Sequence, residues 1–370
     1  MGVVLAGVDT LVIGFRVTEF DLSPDEWVYL ENAKLAAQSA MFDGGGTPVT
    51  LRGHAFSMSP KGSHGYDYIL ANDDLRVQIA KRASGGSSYP EVRIRFASAY
   101  LWRYGGWKPA YFYVEKWVRE WALGTEEQVS QVDLCLDLSE SLPDLDVKQG
   151  EAVTYARNKT DFYIEHHMKG MTDTGYRFGQ GDLLCRVYDK LAEIVVSNKA
   201  WFLDLWRNNG WAGDTDVTRI EFQARRGHLK SQGIETVADL ESKLPDLWHY
   251  FAWEWLSLRD AGKDSNRRRW KVKPFWKQIQ RGVTHFGVAQ GVRRITQQKP
   301  RLDRLGQLVR GAMISIAAIY TNTYHRETGE AVSVSQAIGW LQMETLPGLT
   351  SDPEFHQGVE KRSARLAAFT

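Results

Sequence analysis

The chain has 370 residues, 43% hydrophobic, 25% charged and 12% aromatic, with a formal net charge of +1. That apolar content excludes a disordered or low-complexity chain and fits two to three domains at ~150 residues each. Two cysteines, Cys135 and Cys185, exclude a disulfide framework and a four-cysteine zinc site. The longest apolar run, residues 313–320, is broken by Ser315 and is far shorter than the ~20 residues that span a bilayer. The first fourteen residues lack the positive start of a signal peptide, so a cytoplasmic protein with no membrane partner is expected.

In chain order, residues 8–17 alternate and read as a strand. Ser23 then reads as a helix N-cap, with Pro24 at the first helical position and a helix to about residue 40. Residues 43–46 are a glycine turn. Residues 75–81 and 91–98 are strands of a hairpin joined by the Gly/Ser loop 83–89. Residues 109–123, with Phe112, Trp117 and Trp121 at helical spacing, form a helix ended by Gly124. A second unit follows with a similar rhythm. It has strands at 131–138, 162–168, 175–178, 183–188 and 218–225, a short helix from Asp144 or Asp146 to about residue 157, and a helix over 191–206. After Gly227 the pattern is helical to the end. The expected fold is α+β, with a mixed or antiparallel-sheet body. Two related β-rich modules, 1–125 and 126–230, would precede a helical, basic region at 231–370.

The near-zero net charge hides a segregation. Residues 267–310 hold thirteen Lys or Arg against the single acid Asp303, a net +12, so the remainder carries −11. A local field of that size attracts a polyanion. Trp270, Phe275, Trp276, His285 and Phe286 interleave with the charges, as stacking on unpaired bases requires. The nucleic-acid candidates here are Arg267, Arg268, Arg269, Lys271, Lys273, Trp276, Lys277, Arg293 and Arg294. A plain solvated basic face, or a patch docking onto the acidic body, would read the same way.

Three strands carry candidate chemistry, because side chains alternate across a strand. Asp133, Cys135 and Asp137 share one face of 132–138, and two like charges ~7 Å apart are costly without a cation between them. A hard divalent ion held by oxygens satisfies that need. Leu184, Arg186, Tyr188 and, if the strand continues, Lys190 share a face of 183–190, a phosphate-binding combination. Arg219, Glu221, Gln223 and Arg225 share a face of 218–225. If the three strands pair with these faces together, the cluster has the parts for metal-assisted phosphoryl transfer to a tyrosine. Each strand also has a structural reading: a wet sheet face, a core-edge tyrosine, and a cross-strand ion-pair ladder. Glu165-His166-His167 invites a metal reading, but adjacent histidines on a strand face opposite sides. The glycine runs at 44–46 and 85–86 match neither phosphate-binding nor dinucleotide patterns and read as turns.

Gly7-Val8-Asp9-Thr10-Leu11, Val132-Asp133-Leu134-Cys135-Leu136-Asp137, the run from Gly181 through Tyr188-Asp189-Lys190 to Glu193, and Thr218-Arg219-Ile220-Glu221 together resemble the replication-initiation-factor family. That family includes plasmid rolling-circle initiators and the related relaxases of integrative elements and phages. The resemblance runs in order over about residues 7–230, with Tyr-Asp-Lys-x-x-Glu its most specific piece. It implies a metal-dependent enzyme that nicks and rejoins one DNA strand at an origin through a 5′-phosphotyrosyl intermediate. Tyr188 would be the nucleophile, helped by Arg186 and Lys190. Asp133, Asp137 and Glu221 would hold Mg²⁺ or Mn²⁺, and Arg219 would touch DNA. The implied partners are a single-stranded or hairpin nick site with flanking duplex, and a host helicase; a homodimer is left open. High Trp content and the long basic tail depart from the plasmid members. Two other classes stay open: a non-catalytic DNA-binding regulator on the same fold, and a metal-dependent nuclease using water.

Overall fold

The computed structural model describes residues 2–40, 46–63, 65–81, 89–103, 105–145, 150–154, 164–169 and 172–290, with a few isolated positions beyond. The chain divides into two compact units, Met1–Ile295 and Thr296–Thr370. The first holds everything described below.

The elements of its first half are β1 (Val3–Arg16), β2 (Glu19–Phe20), α1 (Pro24–Ser39), β3 (Thr47–Leu51), β4 (His54–Met58), β5 (Tyr68–Ala71), β6 (Leu75–Ile79), β7 (Val92–Phe96), α2 (Ser98–Arg103), α3 (Trp107–Arg119) and β8 (Ala122–Leu123). α1 begins where the sequence places it. Ser23 Oγ accepts from Glu26 N at 3.2 Å while Ser23 N donates to Glu26 Oε2 at 2.8 Å, a reciprocal cap that satisfies two orphan donors. α3 ends at Arg119, earlier than expected, and Phe112 lies exposed outside the apolar stripe of Trp107, Tyr111, Val114 and Trp117.

The second half contributes β9 (Glu126–Leu138), β10 (Ala152–Thr154), β11 (Ile164–Lys169), β12 (Thr172–Phe178), β13 (Leu183–Asp189), α4 (Lys190–Ser197), α5 (Trp201–Asn208) and β14 (Thr218–Arg225). Beyond it come α6 (Arg226–Ser231), α7 (Val237–His249), a π-helical turn at Tyr250–Trp255, β15 (Leu256–Leu258) and α8 (Pro274–Arg281). The short helix expected after Asp144 is not formed at residues 152–154. These extend as β10 and pair with β15, where Leu256, Ser257 and Leu258 are all buried. The region after Gly227 is therefore not helical throughout.

Eleven strands form one sheet in the order β11-β12-β13-β14-β9-β1-β7-β6-β5-β4-β3, every neighbour antiparallel. The two halves obey one connection rule. In each, the first strand pairs with the last, and the sheet then steps back through the preceding strands. β1 and β9 meet at the centre, so the two predicted modules share a single sheet. In the second half α4 and α5 lie between β13 and β14.

The apolar face of this sheet carries the main core, which includes Leu11, Ile13, Phe15, Ile94, Leu134, Leu136, Ile220 and Phe222. Residues of α1, α3, α7 and α8 belong to the same cluster. Phe222 meets Trp248, Phe251 and Trp276 with ring centroids 5.1, 5.0 and 6.2 Å away. α7, the π-helical turn and α8 thus share in burying the sheet with α1 and α3. Among the described residues, no helix is long and apolar enough to cross a membrane.

Candidate active site

The opposite face gathers the polar residues of the three candidate strands, because β13, β14 and β9 are consecutive neighbours. Tyr188 is the register partner of Arg219, and Arg219 of Asp137. Arg186 pairs with Glu221, and Gln223 with Asp133. Directly opposed residues of an antiparallel pair share a face. Tyr188, Arg186, Glu221, Asp133, Arg219 and Asp137 therefore meet on one surface.

Tyr188 stands at the end of β13. Its hydroxyl donates to Glu221 Oε2 at 3.1 Å, and Arg186 Nη1 holds Glu221 Oε1 at 2.5 Å. Burial and then the Glu221 carboxylate push the phenol well above its ordinary pKa, so Tyr188 rests protonated. Asp189 follows as the N-cap of α4, its Oδ1 accepting from Ala192 N at 3.0 Å. The strand ends there, so Lys190 is the first residue of α4 instead of a further strand position. It is buried and ion-paired to Glu193, with Nζ 5.5 Å from the Tyr188 ring centroid and 4.6 Å from that of Phe202.

The strand opposite makes room for the tyrosine. Gly175 on β12 is the register partner of Tyr188, and a Cβ on it would lie 2.7 Å from Tyr188 Cβ and 2.9 Å from the Val187 carbonyl oxygen. Gly175→Ala is expected to destabilise the protein by about 1–3 kcal/mol, since backbone and Tyr188 must both shift. Urea unfolding measures it.

Asp133 and Asp137 fare differently although they share a strand face. Asp137 is fully buried. Arg219 Nε donates to its Oδ1 at 2.6 Å, Arg219 Nη2 to its Oδ2 at 2.8 Å, and Trp206 Nε1 to the same Oδ2 at 2.8 Å. Both oxygens are engaged, so Asp137 is an anchor of the fold and not an open metal ligand. Arg219 is likewise no DNA contact: it is 0% exposed, its Nη1 reaches Asp9 Oδ1 at 2.8 Å, and the Phe202 ring covers it at 4.5 Å.

Among the described residues Asp133 has only amide partners, Gln131 Nε2 at 2.8 Å and Gln223 Nε2 at 3.2 Å. Burial and the charge of Glu221 raise its carboxyl to about 7. The Oε1 of Gln223 is buried with no hydrogen-bond partner among the described residues. The Asp133 carboxyl and an orphaned amide oxygen therefore adjoin, hard oxygens that suit Mg²⁺ or Mn²⁺, which bind through one or two carboxylates with substrate phosphates completing the shell. Among the described residues, no group of three or more His, Cys, Asp or Glu converges as a complete protein cage.

The raised Asp133 carboxyl makes a pH prediction. Between pH ~4 and ~7 the native state holds a proton that the unfolded chain has released, so this group's contribution to stability is full below ~4 and is lost as pH rises toward ~7. Asp133→Asn is expected to gain stability relative to the parent as pH goes from ~5 to ~8. Urea midpoints at the two pH values measure the difference.

Asp9 stands in the first of the four quoted motifs, but sequence reasoning gave it no role. It sits at a register shift between Val8 and Thr10 and accepts from Arg219, from Ser98 Oγ at 2.7 Å and from Trp102 Nε1 at 3.3 Å. Burial raises its carboxyl, but Arg219, Lys190 and these hydrogen bonds outweigh that and hold it at about 2. Gly7 permits the arrangement: a Cβ there would lie 2.7 Å from the Trp102 ring. The available signal was one carboxylate in an otherwise apolar run.

The basic segment divides. Arg267, Arg268, Arg269, Lys271 and Lys277 are exposed. Lys273 is tied to Glu151 at 3.0 Å and Asp260 at 3.5 Å. Trp276 is a correction: it is 0% exposed, its Nε1 donates to the Ala252 carbonyl at 2.9 Å, and it belongs to the core, so no base can stack on it. Phe286 stacks on Trp248 instead of standing free. Arg293 and Arg294 lie outside the described residues, as do the side chains of Glu165, His166 and His167. The His167 backbone is the register partner of Gly175 on the edge strand β11.

No family model matches the chain. No curated protein matches it either. Among solved structures it is similar to a rolling circle replication initiator protein from Geobacillus stearothermophilus, with 16% identity and a TM-score of 0.43 over 77% of this chain and 98% of that one.

Proposed function

We propose that this chain is a DNA strand transferase that nicks and rejoins one strand at an origin through Tyr188, in rolling-circle replication or conjugative transfer. One observation carries the reading: the Tyr188 hydroxyl lies 3.1 Å from Glu221 on a surface shared with Asp133 and Arg186. Tyr188 Oη attacks the scissile phosphorus and its proton passes to Glu221. The P–O3′ bond breaks, and the 3′-oxygen leaves as a hydroxyl by taking a proton from solvent water. One phosphodiester replaces another, so the step reverses without a nucleotide cofactor. Glu221 orients the phenol, and Arg186, 38% exposed at its side chain, is placed to meet the phosphate oxygens. Lys190 packs behind the ring.

Asp133 and Gln223 would hold the Mg²⁺ or Mn²⁺; Asp137 leaves the proposed ligand set because Arg219 and Trp206 occupy it, and Glu221 because Arg186 and Tyr188 do. When bound, such an ion supplies positive charge that eases phenol ionisation and charge build-up on the phosphate. Its affinity is expected to rise with pH through ~7 as Asp133 loses its proton.

The test uses supercoiled DNA of the element that encodes the protein. Nicking that EDTA abolishes and Mn²⁺ restores supports the reading. Salt-sensitive binding without nicking under any divalent ion would replace it with a non-catalytic regulator. Cutting without a denaturation-resistant adduct would replace it with a water-using nuclease.

A further inference from the structure

The polar face of the sheet does not end at the tyrosine. Arg76 on β6 and Arg95 on β7 are direct register partners, and both are exposed. Arg95 opposes Val12 of β1, Val12 opposes Gln131 of β9, and Gln131 opposes the exposed Arg225 of β14. A transverse row therefore runs Arg225-Gln131-Val12-Arg95-Arg76 on the same face as the candidate site. The next row toward Tyr188 contains Gln223, Asp133 and Thr10. The arginine row thus adjoins the Asp133 carboxyl and spans four strand spacings, roughly 19 Å.

Like charges placed directly opposite on neighbouring strands are destabilising. Here nothing local relieves them. Among the described residues, no carboxylate pairs with Arg76, Arg95 or Arg225. Asp74, two residues from Arg76, pairs with Arg103 at 3.2 Å, and Glu235 pairs with Arg226. Arg93, opposite Gln78 and bonded to its Oε1 at 2.9 Å, adds a fourth guanidinium. Burial first depresses its pKa, Tyr66 opposes, and Arg95, Arg76 and Arg225 depress it further. Positive charge concentrated on exposed arginines, with Gln131 and Val12 between them buried, fits a polyanion.

We propose that this arginine row is the track along which one unpaired DNA strand crosses the sheet to reach Tyr188, its phosphates held by Arg225, Arg95 and Arg76. The proposal rests on the strand-transferase reading and goes beyond it. It moves the flanking strand from the 267–310 segment alone onto β14, β9, β1, β7 and β6. A single strand is the occupant, because the row shares the face of a site that must receive an unpaired scissile phosphate, with Arg225 six residues along β14 from Arg219, the register partner of Tyr188, roughly 20 Å at strand rise.

The probe is a fluorescent single-stranded oligonucleotide of about 16 nucleotides in mixed sequence, titrated by anisotropy between about 50 and 200 mM salt. Three phosphate contacts account for about 2 units of the log–log salt slope at ~0.7 per contact. The Arg76→Gln/Arg95→Gln/Arg225→Gln protein is expected to lose about that much slope and at least tenfold in affinity at the lower salt. The corresponding triple Lys protein keeps the slope, which separates lost charge from misfolding. An unchanged slope in the Gln protein overturns the proposal. So does a loss confined to duplex of the same sequence, or an equal loss in the Lys protein. Adduct formation tests Tyr188 separately, and its failure leaves the salt slope readable.

Discussion

Exchanging Arg219 for methionine is expected to cost about 3–5 kcal/mol of unfolding free energy, the largest stability effect of any single change discussed here. The guanidinium is 0% exposed and makes two bonds to Asp137 and one to Asp9. Its removal strands two carboxylates in a site roofed by Phe202 and Trp206. Arg219→Lys keeps the charge but not the fork, and an intermediate loss is expected. Urea unfolding of the two variants measures this. Acid should mimic the loss. Asp9 is held at about 2, below the ordinary 3.8, so its contribution is complete above ~4 and disappears as pH falls through ~2. A cost under about 1 kcal/mol for Arg219→Met would mean that the ion-pair network is not the support of the site.

Tyr188→Phe is expected to leave oligonucleotide binding within about twofold and to reduce covalent adduct and nicking at least 10³-fold, because the deleted oxygen is the proposed nucleophile. The lost hydrogen bond to Glu221 is partly exposed and costs about 1 kcal/mol at most. Fold and function therefore separate cleanly in this variant. In Glu221→Gln the carboxylate that orients Tyr188 and pairs with Arg186 is gone, and nicking should fall while the fold persists.

Much of the fold was legible where local rules and burial agree. Ser23-Pro24-x-Glu26 specifies a helix start through its own hydrogen bonds, and α1 begins there. Alternation at 218–225 marked β14 to the residue. β3, β4 and β5 went unseen, because short strands such as Thr47–Leu51 are recognisable mainly by their partners. Residues 152–154 and 256–258 found each other across about a hundred positions, a pairing no local pattern encodes.

The candidate site was legible as a set and not as a set of roles. Alternation placed Asp133 and Asp137 on one face. It could not tell that Arg219 would occupy one carboxylate while the other received only glutamine amides. That distinction depends on register between β9 and β14 and on α5 folding over one end of the face. Trp276 misled for a related reason. Its neighbour Lys277 marks an exposed helix side, but helical spacing turns Phe275, Trp276 and Ile279 inward. The arginine row lay unread because Arg76, Arg95 and Arg225 are remote in sequence and meet only through five adjacent strands.

The most direct measurement is mass spectrometry of the protein trapped on DNA in the presence of Mg²⁺, digested with trypsin and nuclease. Cleavage after Arg186 and Lys190 releases residues 187–190. Finding that peptide with a nucleotide 5′-phosphate on Tyr188 is the predicted result. A nucleotide on any other residue, or strand cutting with residues 187–190 recovered unmodified, contradicts it.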